Sequence, residues 1–174
     1  MTIKLDEVEA NIASEVGIKR NIEALFKSRK NNYEDTWIGE SWANHIEGAC
    51  AELAVCNFLN RRWDRSVNVF TREDINGTNI DVKWSRKPYL IIEPKNPFIL
   101  VLINGSCPNY EVLGWARPDE FKRPQFKAVF GDQREHYRVP KEVLRPAYSL
   151  AQEFSLQDNG IGVNRVKQWL KSNI

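Results

Sequence analysis

The chain has 174 residues, of which 42% are hydrophobic and 28% charged, and its net charge is +2. These values predict one globular domain with a buried core, and they exclude a low-complexity or disulfide-rich chain. Net charge alone gives no argument for nucleic-acid binding, although basic residues cluster locally. The clusters lie at residues 27–30, 61–65, 83–87 and 122–127.

The cellular environment is constrained by cysteine usage and by hydropathy. Cys50, Cys56 and Cys107 have neither metal-ligand spacing nor a disulfide pattern, which predicts reduced, buried thiols. No apolar run reaches the length needed to span a bilayer, and the N-terminus lacks the apolar centre of a signal peptide. We therefore expect an intracellular, cytoplasmic protein without membrane contact.

Two helical regions precede the predicted sheet. Apolar residues keep a helical spacing from Leu5 to Phe26 with an interruption near Gly17, which predicts one bent helix or two consecutive helices. A further helix is expected from about Ser41 to Arg61, and its middle is almost entirely small or apolar. Such a helix is buried on most of its surface.

Glu52 interrupts this apolar helix. An unpaired carboxylate on its buried stripe would cost several kcal/mol, on the order of the penalty for an uncompensated buried charge. We therefore expect a positively charged group to face Glu52, and a salt bridge to an arginine is the simplest choice.

The stretch from Glu73 to Trp84 has the pattern of a β-hairpin. Asn76-Gly77 suits a two-residue loop, and apolar residues alternate with polar ones from Asn79 onward. In the corresponding register Asp74 pairs with Asn79 and shares a sheet face with Asp81 and Lys83. The hairpin would therefore bring two carboxylates and a lysine together.

This set of side chains suits phosphodiester hydrolysis. Mg²⁺ prefers oxygen ligands and takes one or two carboxylates together with water and phosphate. A nearby ammonium can orient or help deprotonate the attacking water and can offset negative charge in the transition state. Taken alone, however, Asp-x-Lys is a frequent triplet, and a solvated sheet face is the alternative.

Three further strands are expected after Lys83. Tyr89–Ile92 and Phe98–Ile103 are strongly apolar, and the second lacks alternation, which predicts a central strand covered on both faces. Residues 110–116 follow a loop of turn residues and are expected to form its antiparallel neighbour. The pattern indicates an α/β protein.

Asp74, followed by Asp81-Val82-Lys83, resembles the PD-(D/E)xK (restriction-endonuclease-like) nuclease superfamily. Glu73 stands where the superfamily often has proline. Four other phrases resemble a phage-associated branch of these nucleases, so that the likeness covers about residues 45–150. They are the segments His45–Val55, Asn68–Ile75, Pro108–Trp115 and Tyr137–Leu144.

The resemblance implies an α/β fold with a restriction-endonuclease-like core of the α-β-β-β-α-β type, in which helices flank a mixed central sheet. Extra N-terminal helices would precede this core. The expected single domain would comprise a helical extension at 1–40, the nuclease-like core at 41–150 and a helical tail at 151–174.

It also implies a nuclease that uses Mg²⁺ or Mn²⁺ and activated water, with DNA as the expected substrate. Lys83 would position the water and steady developing charge. The metal ligands implied are Asp74, Asp81, Glu52 and the carbonyl of Val82, with Glu52 acting directly or through water. The expected contacts to flanking phosphates are Arg86 and Lys87.

Two alternatives remain open: a nuclease-like fold that binds DNA or assembles without cutting, and a structural protein with solvated hairpin charges. Zinc and histidine-metal schemes have too few ligands, since His45 and His136 are the only histidines. The chain has no P-loop motif for ATP. The phage likeness suggests an infected host cell, and the pattern leaves open DNA or RNA, endo- or exonuclease action and a homodimer.

Overall fold

The structure, a computed structural model, describes residues 2–27, 38–67, 73–129 and 134–155. Within these ranges the chain forms a mixed α/β fold with two sheets. The helices are α1 (Glu7–Phe26), α2 (Ile38–Leu59), α3 (Pro118–Phe121) and α4 (Ala147–Ser155). The strands are β1 (Thr2–Lys4), β2 (Ile80–Trp84), β3 (Tyr89–Ile92), β4 (Ile99–Ser106), β5 (Asn109–Ala116), β6 (Lys127–Val129) and β7 (Glu135–Pro140).

The larger sheet has the strand order β1-β5-β4-β2. Strand β4 runs parallel to β2 and antiparallel to β5, so the sheet is mixed. The predicted central strand and its antiparallel neighbour are therefore confirmed. Strand β3, however, lies in a second, antiparallel sheet of order β3-β7-β6.

Both faces of β4 are covered, which explains its unbroken apolar sequence. Ile99, Val101 and Ile103 belong to the hydrophobic cluster that includes residues of α1, α2 and α4. Leu100 and Leu102 belong to a second cluster with residues of β3 and β7. The larger sheet thus lies between a helical layer and the smaller sheet.

The N-terminal region forms one helix preceded by a strand. Asp6 caps α1 by accepting the Glu9 N–H, and the Glu9 side chain accepts the Asp6 N–H in return, so the helix begins after Leu5. Strand β1 pairs antiparallel with β5 and was not predicted, because three residues are too few to show an alternating pattern. Helix α1 and strand β1 therefore belong to the same core as the larger sheet.

Gly17 does not interrupt α1, which runs from Glu7 to Phe26; it lets α1 and α2 approach closely. A Cβ atom at Gly17 would lie 2.5 Å from the Cα of Ile46 and 2.7 Å from the carbonyl oxygen of His45. Both contacts involve the α2 backbone, which cannot move aside as a flexible side chain would.

We expect Gly17→Ala to destabilise the protein by about 1–3 kcal/mol, the usual cost of overpacking a core. Gly48→Ala is the matched control, because Gly48 is also helical but has open space at its Cβ position. That substitution should be neutral or stabilising by about 0.5–1 kcal/mol. Urea denaturation measures both, and equal effects would contradict the close contact between the helices.

Two further predictions concern the ends of the chain and the membrane. The expected tail at 151–174 begins within α4, and residues 156–174 lie outside the described ranges. Among the helices of the described ranges, none has the length and apolar character required to cross a bilayer.

Candidate metal centre

Strand β2 is at the edge of the larger sheet, and Asp74 lies along its free side. The Asp74 N–H donates to the Ile80 carbonyl over 2.9 Å, and the Val82 N–H donates to Asp74 Oδ2 over 2.7 Å. Asp74, through its backbone and its carboxylate, thus satisfies two of the edge groups that a neighbouring strand would otherwise bind.

The predicted hairpin is wrong, because its first arm is not a strand, although a turn is present at Asn76-Gly77. The Thr78 N–H donates to the Ile75 carbonyl over 3.1 Å, and only Gly77 of the central pair has a positive φ, 72°. Asp74 is hydrogen-bonded to Ile80 instead of pairing with Asn79, and residues 73–79 form no strand.

The side chain of Thr78 explains the altered register. Its hydroxyl donates to the Ile75 carbonyl over 2.6 Å and accepts the Ile80 N–H over 3.1 Å. These bonds replace backbone pairing next to the turn. Glu73, which the hairpin would have put on the apolar face, instead accepts the Gly77 N–H over 3.3 Å.

Asp81 and Lys83 project from β2 on the face that looks toward the smaller sheet. They pair in the parallel register with Leu100 and Leu102, whose side chains lie in the cluster shared with that sheet. Lys83 Nζ lies 2.7 Å from Asp81 Oδ2, and Asn96 Nδ2 lies 3.4 Å from the same oxygen. The Asp-x-Lys triplet is therefore an ion pair on a partly buried surface.

The surroundings of Asp74 disfavour the charged form of its carboxyl group. Burial raises its pKa from 3.8 to about 8, and the neighbouring carboxylates of Glu52 and Asp81 act in the same direction. The Val82 N–H lowers the pKa but does not offset these effects. Asp74 therefore holds a proton at neutral pH until a cation compensates the cluster.

The ammonium of Lys83 is held in its charged form. Burial lowers its pKa, but the carboxylates of Asp81, Asp74 and Glu93 together raise it by more. A charged lysine can orient water and stabilise negative charge, whereas it cannot take a proton as a base. Of the two roles foreseen for Lys83, the electrostatic one fits this environment.

Glu52 is paired with Arg20, as the salt-bridge alternative predicted. Arg20 donates from Nη1 to Oε1 over 2.6 Å and from Nη2 to Oε2 over 2.7 Å, a bidentate pair. Trp63 Nε1 adds a contact of 3.3 Å to Oε2. Burial raises the pKa of Glu52, and the bonds from Arg20 oppose that rise. Both oxygens are engaged, so direct metal ligation would require the pair to open.

Arg20 was missed by the sequence interpretation, which took the large apolar residues as the packing side of α1, although Ile18, Ile22 and Phe26 are exposed. The buried residues of this helix include Ala13, Val16 and Gly17, at spacings of three and four, and Arg20 continues the same stripe. The signal would have been a charged residue on the buried stripe of one helix together with a residue of opposite charge on the buried stripe of a neighbouring helix. Asn96, in a loop, offered none.

The oxygen atoms available at this site suit Mg²⁺, which takes few protein ligands, better than a metal that requires a complete set of protein ligands. Among the described residues, no group of three or more His, Cys, Asp and Glu side chains is arranged to hold a metal. Asp74 and Asp81 supply two carboxylates, and Mg²⁺ usually takes one or two from the protein. Because the N–H and C=O of one strand residue point the same way, the Val82 carbonyl faces the Asp74 edge as well.

Arg86 and Lys87 lie in the exposed turn between β2 and β3. The guanidinium of Arg86 is stacked over the Trp84 ring, 5.5 Å from its centroid. The Lys87 N–H donates to Ser85 Oγ over 3.0 Å, which fixes the turn. Both side chains are accessible at the end of the strand that carries Asp81 and Lys83.

Comparison of the chain with models of protein families, with curated proteins and with solved structures gives no match. The likeness to PD-(D/E)xK nucleases therefore depends on the residues of this chain and on the geometry around β2.

The raised pKa of Asp74 predicts a pH-dependent stability. Between about pH 4 and about pH 8, Asp74 keeps its proton in the native state, whereas it has lost this proton in the unfolded chain. Stability in EDTA should therefore fall over this range, by at most about 1.4 kcal/mol per pH unit. Asp74→Asn should remove most of this slope and raise the melting temperature at pH 8.

Melting curves from pH 5 to pH 9 measure this slope. Glu142→Gln is the control, because Glu142 is exposed in the short helical turn after β7 and should leave the slope unchanged. An Asp74→Asn variant as pH-dependent as the wild type would show that Asp74 is not the buried proton carrier.

Proposed function

We propose that the chain is a metal-dependent nuclease that hydrolyses phosphodiester bonds by activated water, with DNA as its substrate. The observation that carries this proposal is the convergence of Asp74 and Asp81 with Lys83 at the free edge of β2. Lys83 Nζ lies 2.7 Å from Asp81, and the Val82 N–H holds Asp74.

The metal expected here is Mg²⁺ or Mn²⁺, held by Asp74, Asp81 and the Val82 carbonyl. When bound, it would lower the pKa of a coordinated water and neutralise charge on the phosphate. Burial, together with the charges of Glu52 and Asp81, keeps Asp74 protonated without metal, so binding should release a proton and tighten as pH rises toward about 8.

The protein side chains then have separate roles. Asp74 and Asp81 supply carboxylate oxygens for the metal, and the Val82 N–H fixes the Asp74 carboxylate in place. Lys83, held charged by Asp81, orients the attacking water and stabilises the extra negative charge of the transition state. Asn96, at 3.4 Å from Asp81 Oδ2, restricts the rotation of that carboxylate.

Glu52 has an indirect role in this proposal. Its oxygens bind Arg20, so it acts through the negative potential that it imposes on Asp74 or through a water, not as a direct ligand. Arg86 and Lys87, exposed beyond the end of β2, are proposed to hold phosphates flanking the cut bond.

The restriction-endonuclease-like core is part of the same proposal. Helix α2 covers one face of a mixed sheet, and the Asp-x-Lys strand β2 has the buried strand β4 as its parallel neighbour. These features support such a core.

Incubation of the purified protein with supercoiled plasmid, single-stranded DNA, a branched duplex and RNA, in Mg²⁺, Mn²⁺ or EDTA, tests the proposal. We expect cutting of at least one DNA substrate with either metal and none in EDTA. The preferred substrate would define the class of nuclease. Absence of cutting on every substrate and with both metals would reject the catalytic role in favour of a binding module.

A further inference from the structure

A cavity of about 550 Å³ opens between the start of α1, the end of α2 and the loop that follows α2. Its volume is in the range of about 300–1,000 Å³ that is typical of small-ligand sites. Leu53 and Trp63 contribute apolar surface, and Arg62, Arg65 and Asn76 contribute polar groups. The two arginines belong to the basic cluster at 61–65, to which the proposed chemistry gives no role.

The arginines of this cavity have charges that are available to a ligand. Arg62 and Arg65 are exposed, and within the described ranges their side chains form no hydrogen bond or ion pair. Two carboxylates also line the cavity, but they are engaged elsewhere. Glu9 accepts the Asp6 N–H and the Asn57 side chain, and Asp64 accepts the Ser66 N–H. The formal charges of the lining therefore balance, but its unengaged hydrogen-bonding groups are the guanidinium donors of Arg62 and Arg65, which suit an anionic oxygen.

Hydrogen bonds within the protein fix the loop that carries the two arginines. Asp64 Oδ1 accepts the Ser66 N–H over 3.0 Å, which closes a turn around Arg65, whose φ is 58°. The Ser66 carbonyl in turn accepts from Arg20 Nε over 3.0 Å and from Nη2 over 2.7 Å. A preorganised loop pays less entropy when it binds a ligand.

The cavity adjoins the candidate metal centre. Trp63, in its wall, donates from Nε1 to Glu52 Oε2 over 3.3 Å, and the charge of Glu52 acts on Asp74. Asn76, at its rim, lies in the turn that follows Asp74. Asp81 and Lys83 face the smaller sheet and the cavity lies on the helical side, so a strand cut at this centre would reach the cavity past Asp74, at the edge of β2.

We infer that the cavity binds a backbone phosphate of the nucleic-acid strand next to the phosphate that is cut, with Arg62 and Arg65 as its cationic contacts. The substrate class depends on the proposed function. The contact itself does not depend on cutting, because it needs neither metal nor the Asp81 carboxylate. A polynucleotide and a free nucleotide both carry a phosphate ester, and the proposed ligand is the polynucleotide.

Fluorescence anisotropy of a labelled oligonucleotide, single-stranded or duplex, tests the inference in EDTA on an Asp81→Ala background. Arg62→Ala/Arg65→Ala should weaken binding by about five- to tenfold and reduce the slope of log K against log salt by about 0.7 for a single strand or about 0.9 for a duplex, the change for one phosphate contact. Arg62→Lys/Arg65→Lys should recover much of the affinity. Both residues are exposed, so unchanged melting curves are expected.

Lys4→Ala/Lys141→Ala is the matched control, since it removes two exposed charges from β1 and from the turn after β7. It should change affinity by less than about twofold. Equal effects of the two double variants, or no oligonucleotide binding by the parent protein, would overturn the inference. So would displacement by a mononucleotide at the concentration at which the unlabelled oligonucleotide competes. Arginine-dependent binding without any cutting by the wild type would reject the nuclease proposal and leave this site standing.

Discussion

Lys83→Met is expected to lower the cleavage rate by about 10²–10³-fold, the loss typical of removing one electrostatic contact to a transition state. The methionine keeps the length of the side chain and removes its charge. Because Lys83 is partly exposed, with 42% of its side-chain surface accessible, stability should change little. Rates under single-turnover conditions in Mg²⁺ would isolate the chemical step.

The control for this substitution is Lys141→Met, at an exposed position in the turn after β7. It should cut at the wild-type rate. A second comparison separates roles: Lys83→Met should still bind Mn²⁺ with an affinity close to that of the wild type, since the metal ligands remain. A Lys83→Met protein that cuts normally would remove Lys83 from the mechanism.

Arg20→Met is expected to destabilise the protein by about 3–5 kcal/mol, the cost of leaving one member of a buried ion pair uncompensated. Only 9% of Arg20 and 7% of Glu52 are exposed, so water cannot replace the lost contacts. The Ser66 carbonyl also loses two donors from Arg20. The free energy of unfolding by urea at pH 7 measures this effect.

The double variant Arg20→Met/Glu52→Gln should regain a large part of that stability, because it removes the stranded carboxylate together with its partner. The double-mutant cycle gives the coupling energy of the pair. Additive losses, with no recovery in the double variant, would contradict the view that Arg20 compensates Glu52. The same cycle followed by cleavage assays would show whether Glu52 contributes to metal binding beyond this structural role.

The sequence predicted features that depend on one element and its own pattern. The unbroken apolar run of β4 indicated a strand covered on both faces, and the structure places it between two hydrophobic clusters. The isolated charge of Glu52 on a buried helix indicated a positive partner, since burial of an unpaired carboxylate is costly. Both predictions follow from local composition.

Features that arise from contacts between distant segments were not predicted. The partner of Glu52 is Arg20, on another helix, and the close approach of the two helices involves Gly17. The position of Asp74 depends on a side-chain bond to Val82 and on the hydroxyl of Thr78, which together replace the expected hairpin. The alternation of apolar residues does not show where a side chain will bind the backbone in place of a second strand.

The most direct test is cleavage of supercoiled plasmid by wild-type and Asp81→Ala proteins, purified identically and compared in Mg²⁺ and in EDTA. Identical purification makes the variant a control for contaminating nucleases. We predict relaxed or linear product from the wild type in Mg²⁺ alone, and intact plasmid in the other three reactions. Equal cutting by both proteins, or cutting by the wild type in EDTA, would contradict a metal-dependent active site at the edge of β2.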